Sequence, residues 1–232
     1  MKTQPIRPGW HTASFLGARE TNADAVAAST DWTTGRLAVA LADGVGDTPA
    51  AARAALRAAS EAAAAPVVEG PVAALARARR AVLADPEAGD CVVVVAQPLP
   101  VGYAIAWVGD VRAYAWSGGV LHQLTTDHTV AEYFRARGEP VTRRMEHTVL
   151  TSMRTADPPR FGHTTLRTPT GLLLTSDGVH RVLTSGEMAD ILARSVNPAA
   201  ALTAAAKAAG ATDNATAAVI DPGGMAVAPV AA

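Results

Sequence analysis

Residues 91–123 read CVVVVAQPLPVGYAIAWVGDVRAYAWSGGVLHQ. Four short apolar runs, Cys91–Gln97, Gly102–Val108, Arg112–Trp116 and Val120–Gln123, are separated by proline, Gly-Asp and Ser-Gly-Gly. Valine-rich runs bounded by turn residues predict strands, and their close spacing predicts an antiparallel meander. Upstream, His11–Gly17, Asp24–Ser29 and Arg36–Ala42 read as three further strands. Between them and the meander lie two helical stretches. Thr48–Ala65 is nearly all alanine with Pro49 in its first turn, and Pro71–Ala84 stops at Asp85-Pro86.

Downstream, Thr129–Arg137 predicts a short helix, with Glu132 at the capping-box position relative to Thr129. Glu139–Pro159 is irregular and rich in Arg, Thr and Pro. Thr164–Thr168 and Gly171–Ser176 read as strands, Ser185–Arg194 and Pro198–Ala209 as helices, and Asn214–Ile220 as a last strand. Runs of strands separated by helix pairs argue for an α+β fold, with two antiparallel sheets carrying helices on their outer faces. A single domain is expected over residues 10–221, with an N-terminal extension at 1–9 and a tail at 222–232 that lacks periodicity.

Composition narrows the function classes. Hydrophobic residues make up 49% of the chain, but 53 of its 232 residues are alanine, so bulky core residues are scarce. A net charge of −1 supplies no basic field for nucleic acid or anionic lipid. Apolar runs such as Cys91–Ala96 are far shorter than the roughly 20 residues that span a bilayer, which predicts no membrane segment. Met1–Ser14 has no apolar core before a small-residue cleavage site, so no signal peptide is expected and the cytoplasm is the expected location. The single cysteine, Cys91, allows no internal disulfide and no cysteine metal cluster.

The chemistry lies in aspartates at strand ends. An apolar run ends on an aspartate beside glycine at Asp43-Gly44, Gly109-Asp110 and Asp177-Gly178; Asp213-Asn214 precedes the last strand and Asp24 opens the second. Such dipeptides are also ordinary turns. Strand ends, however, point side chains at one edge of a sheet, and gathered carboxylates need a cation. Oxygen ligands with no cysteine or histidine pair nearby suit Mg²⁺ or Mn²⁺. A dinucleotide loop at Gly44-Val45-Gly46 is a poor rival, because the third glycine is missing and Pro49 stands in its place.

Six segments in this order resemble the bacterial PPM/PP2C-type metal-dependent serine/threonine phosphatases: Arg19–Asp24, Leu41–Gly46, Val108–Tyr114, Leu124–Thr129, Leu172–Val179 and Thr212–Thr216. The resemblance implies an α/β/β/α sandwich of two antiparallel sheets flanked by helix pairs. It implies that Asp43 bridges two Mn²⁺ or Mg²⁺ ions, that Gly44 offers its carbonyl to one, and that Asp177 and Asp213 bind the other. Asp110, with Asp177, would take a third, weaker ion. Arg19 would grip the substrate phosphate and Asp24 would support the ligands from behind. A metal-bridging hydroxide would then attack phosphoserine or phosphothreonine in proteins modified by a serine/threonine kinase.

The chain departs from the family pattern at Ala23, where an acid or amide is usual, at Gly89-Asp90-Cys91, at Asp47-Thr48, and in a short flap over Glu139–Pro159. These departures fit an alternative, a weakly active or inactive relative that serves as a regulatory phosphoprotein- or partner-binding domain. Among other residues, Cys91 reads as a buried small hydrophobe, Arg77, Arg79 and Arg80 as a solvated helix face, and His180 as partly exposed. Arg143, Arg144, Arg154 and Arg160 read as either phosphopeptide contacts or solvated surface.

Overall fold

The computed structural model describes residues 9–31 and 35–222. Apart from Gly9 and Pro222, the expected terminal extension and tail therefore lie outside the described residues. The chain runs β1 (Trp10–Phe15), β2 (Asp24–Thr30), β3 (Leu37–Gly44), α1 (Pro49–Ala63), α2 (Pro71–Ala84), β4 (Cys91–Pro98), β5 (Tyr103–Val108), β6 (Arg112–Ser117) and β7 (Val120–Gln123). It continues α3 (Val130–Arg135), α4 (Arg143–Glu146), β8 (Gly162–Leu166), β9 (Gly171–Thr175), α5 (Asp177–His180), α6 (Ser185–Arg194), α7 (Pro198–Ala208) and β10 (Ala215–Ile220).

These strands form two five-stranded sheets, ordered β2-β3-β4-β5-β8 and β1-β10-β9-β6-β7, with every pairing antiparallel. The α1/α2 pair covers the first sheet and α6/α7 covers the second, giving the α/β/β/α sandwich. Period-2 alternation distributes each strand between layers. In β3, Val39 and Leu41 enter the core between the sheets, while Ala40 and Ala42 face α1. In β4, Val92 and Val94 point between the sheets while Cys91, Val93 and Val95 point to the helices.

The alanine content acquires a purpose here. Ala54, Ala55, Ala58, Ala59 and Ala62 of α1 are fully buried against the small residues of β3. Small side chains on both surfaces let the helix lie close to the sheet, and close packing replaces bulk as the source of cohesion. Pro49 fits the first turn of α1, and Thr48 caps it by accepting from the Ala51 amide at 3.1 Å.

The expected meander is divided. β4 and β5 pair in one sheet, β6 and β7 in the other, and the chain crosses between them at Gly109–Val111. Gly109 permits the crossing: its φ is +89°, and a Cβ there would stand 2.0 Å from Val92 Cγ1. No helix among the described residues is long and apolar enough to cross a membrane.

Candidate metal centre at one end of the sandwich

The antiparallel order brings one end of every relevant strand to the same edge of the sandwich. β3 ends at Asp43-Gly44 and β2 begins at Asp24, whose Cα pairs directly with that of Asp43. β5 ends just before Asp110, β9 just before Ser176-Asp177, and β10 begins just after Asp213-Asn214. β1 pairs with β10 and leaves at this edge, so the Arg19–Asn22 turn also borders the site.

Asp43 lies deepest. Burial, followed by the charges of Asp24, Asp177, Asp110 and Asp213, pushes its carboxyl well above the usual range. No ion pair reaches it among the described residues. Asp24 is held from behind by Ser176 Oγ, which donates to Oδ2 at 2.7 Å, while its Oδ1 is buried without a hydrogen-bond partner among the described residues. Burial outweighs the hydrogen bonds from Thr216 and Ser176, and with Asp177 and Asp213 nearby this carboxyl rises to about 7. Asp110 is raised to about 6 by burial and by Asp177, with Arg181 opposing; Asp177 is raised by burial, again against Arg181.

The loop beyond Asp43 is fixed by its backbone. Gly44 N–H donates to the Ala23 carbonyl at 3.0 Å, and Val45 N–H to the Asp90 carbonyl at 2.9 Å. A Cβ on Gly44 would lie 2.7 Å from the Ala51 carbonyl oxygen, so only glycine lets α1 approach this closely. Asn214 ties three segments together: its Oδ1 accepts from Ala23 N–H at 2.8 Å and its Nδ2 donates to the Leu16 carbonyl at 2.7 Å. Ala23 thus contributes its backbone N–H and carbonyl here.

The sequence-expected residues share one edge, but they do not all converge. Among the described residues, no three acidic, histidine or cysteine side chains close on a single point as they stand. Asp213 is turned to Arg19, whose Nη2 lies 2.6 Å from Oδ2. Asp177 and Asp110 are both turned to Arg181, with Nη2 2.6 Å from Asp110 Oδ2. A cavity of about 520 Å³ opens beside Asp177 and Asp213, lined also by Arg112, Arg135, Arg143 and His147. A second, of about 610 Å³, borders Asn22, Asp24, Pro49, Arg53 and Leu56.

The remaining motif residues hold the frame. Arg112 grips Asp127 through two hydrogen bonds, Nε to Oδ1 at 2.9 Å and Nη2 to Oδ2 at 2.7 Å, joining two of the six sequence segments. Asp47 accepts from the amides of Glu20 and Thr21 and so fixes the turn that carries Arg19. Asp90 accepts from the amides of Cys91 and Arg154 and from Ser152 Oγ. Cys91 is buried, and burial pushes its thiol well up, so it is no nucleophile at neutral pH.

Three readings change. His180 lies in a helical turn as expected but is buried, not partly exposed; its Nδ1 meets Thr175 Oγ1 at 2.9 Å, because α5 folds it back over β9. Of the expected solvated helix face, Arg80 is exposed, while Arg77 and Arg79 pair with Glu61 and Asp157, Arg79 being the less exposed of the two. Arg154 donates to the carbonyls of Gly89 and Ala88 at 2.7 and 2.6 Å, and Met153 and Ala156 are fully buried. The second half of Glu139–Pro159 is therefore anchored in the core beneath α2.

Sequence pattern alone could have found Arg181, which lies four residues after Asp177 on a helical turn. Ser176, Asn214 and Asp90 gave no such signal, since their partners are remote in the chain.

Comparison with solved structures places this architecture. A PPM serine/threonine phosphatase from Mycobacterium smegmatis, in complex with cacodylate, is 27% identical with a TM-score of 0.72, covering 93% of this chain and 99% of that one. The S. agalactiae serine/threonine phosphatase superposes with a TM-score of 0.81 at 18% identity, covering 92% and 98%. The chain has the fold of the PPM-type serine/threonine phosphatases. The catalytic domain of the PPM-fold phosphatase PstP, solved with two manganese ions, is 23% identical with a TM-score of 0.77, covering 92% and 97%. No family model and no curated protein matches the sequence.

Proposed function

We propose that this chain is a divalent-metal-dependent phosphatase acting on phosphoserine or phosphothreonine in proteins. The observation that carries the reading is Asp43, a half-buried carboxylate with four others around it and no ion-pair partner among the described residues. Buried charges of one sign are tolerated when a cation neutralises them. The donors available are carboxylate and carbonyl oxygens, which suit Mn²⁺ or Mg²⁺. The buried Oδ1 of Asp24, beside Asp43 on the paired strand and without a hydrogen-bond partner among the described residues, fits the same need. The PPM-fold relative holding two manganese ions supports two ions here also.

Asp43, the Gly44 carbonyl, Asp177 and Asp213 would hold the ions. The ions would supply Lewis-acid activation of water and neutralise phosphate charge. The chain's own groups do the rest. Asp24, fixed by Ser176, stands behind Asp43 and steadies β2 against β3. Arg19, partly exposed at the rim, presents a planar guanidinium with donors spaced for two phosphate oxygens. The 520 Å³ cavity beside Asp177 and Asp213 offers room for residues flanking a phosphorylated side chain.

Turnover of p-nitrophenyl phosphate and of a phosphothreonine peptide, each with Mn²⁺ or with EDTA, tests the proposal. Activity should require the metal and fall by at least about 100-fold in Asp43→Asn and Asp177→Ala, since loss even of the partners behind metal ligands costs roughly 10- to 100-fold. Equal rates in every sample would overturn it. Phosphopeptide binding without turnover would favour the regulatory domain, which the arginine pairing of Asp177 and Asp213 supports.

A further inference from the structure

Arg181 is the first residue after α5, one turn beyond Asp177. Its guanidinium makes four contacts at once. Nη2 lies 2.6 Å from Asp110 Oδ2 and donates to the Glu146 carbonyl at 3.0 Å; Nη1 meets Asp177 Oδ2 and His147 Nδ1. Asp110 and Asp177 are 5% and 13% exposed and Arg181 24%, so the cluster is largely withdrawn from water. Nothing else basic pairs with either carboxylate among the described residues.

We infer that Arg181 is a built-in cation that occupies the place between Asp110 and Asp177, so that Asp110 takes no metal ion, and that it fastens the α4 segment to the centre. The inference rests on the reading above in that Asp177 keeps its other oxygen for the ions beside Asp43. The charge balance argues for it. Two carboxylates close together in a poorly solvated place need positive charge, and a guanidinium fork satisfies both without bringing an ion from solution. With that charge in place, a divalent ion would have to displace an arginine already hydrogen-bonded on two sides.

The same fork explains why so short a segment holds its position. α4 has four residues and no buried side chain, which is too little to order it alone. Its end is instead held by the Glu146 carbonyl and His147 on Arg181, and by Glu146 Oε1 on Arg135 at 3.1 Å. Arg181 thus acts as a positioning residue, linking the segment over the cavity to an acid of the proposed centre.

Mn²⁺ binding counted by equilibrium dialysis, on wild type, Asp110→Asn, Arg181→Gln and the Arg181→Gln/Asp110→Asn double variant, tests this. Asp110→Asn should bind as many ions as wild type. Arg181→Gln should bind one more, and the double variant should lose that extra ion. Hydrogen exchange across residues 143–148 should be at least tenfold faster in Arg181→Gln. One ion fewer in Asp110→Asn than in wild type would overturn the inference even if Arg181→Gln failed to fold; so would an Arg181→Gln chain that binds no more than wild type. A wild-type chain that takes up no Mn²⁺ would refute the two-ion reading alone, because Arg181 is judged from the difference between variants.

Discussion

At Asp43 a half-buried acidic side chain stands with Asp24, Asp177, Asp110 and Asp213 around it, and the neighbours solve this problem unequally. Asp177 and Asp110 share one guanidinium and Asp213 has another, whereas Asp43 and Asp24 have none among the described residues. Arg19 consequently has two claims on it, Asp213 in this structure and substrate phosphate in the proposed reaction. Charge-assisted hydrogen bonds of this kind are worth about 1.5–3 kcal/mol. Arg19→Ala should therefore lower kcat/KM for a phosphopeptide by roughly 10- to 100-fold, each 1.4 kcal/mol being a factor of ten. Arg19→Lys should recover only part, since an ammonium cannot present two parallel donors. Steady-state kinetics at saturating Mn²⁺ would show it, and unchanged kcat/KM in Arg19→Ala would remove the residue from phosphate binding.

Among the elements, the crossing between β5 and β6 decides most. Local pattern shows four strands there but not that the second pair leaves the first sheet, because a turn of Val-Gly-Asp-Val has the same composition whichever way it leads. Only the Cβ clash with Val92 and the positive φ of Gly109 reveal that the chain must pass tightly beneath β4. Gly109→Ala should cost about 1–3 kcal/mol, the usual range for such backbone strain. Urea unfolding should show it, with partial recovery when Val92→Ala removes the clashing methyls. A wild-type midpoint in Gly109→Ala would mean that the crossing has slack. The alanine seam of α1 was different: its length, proline start and threonine cap were all local, and α2, β7 and α6 likewise lie where periodicity and capping place them.

For the molecule as a whole, the acidic edge couples stability to pH and to metal. The carboxyls of Asp24 and Asp110 titrate near 7 and 6 in the folded chain and near 3.8 when unfolded, so between these values the folded state holds more protons. Stability of the metal-free protein must then fall as pH rises through that window, by about 1.4 kcal/mol for each tenfold difference in proton affinity. In EDTA, Tm should be higher at pH 5.5 than at pH 7.5. Saturating Mn²⁺ should raise Tm most at pH 7.5, because an ion that binds only the folded state stabilises it by mass action. A Tm in EDTA that climbs toward pH 7.5 would contradict the assignment of these carboxyls.

The sequence by itself determined the class of fold, nearly every strand and helix, and which aspartates stand at strand ends, because each follows from residue pattern within a few positions. It also carried the order of six segments resembling the PPM phosphatases. Tertiary structure alone decided how those acids are paired. Asp24 opposes Asp43 because β2 registers on β3, and Asp110 reaches Arg181 because the chain changes sheets at Gly109. Charges interact through distance in space, and for residues as far apart as 110 and 181 that distance is set by packing and register, which no local pattern contains.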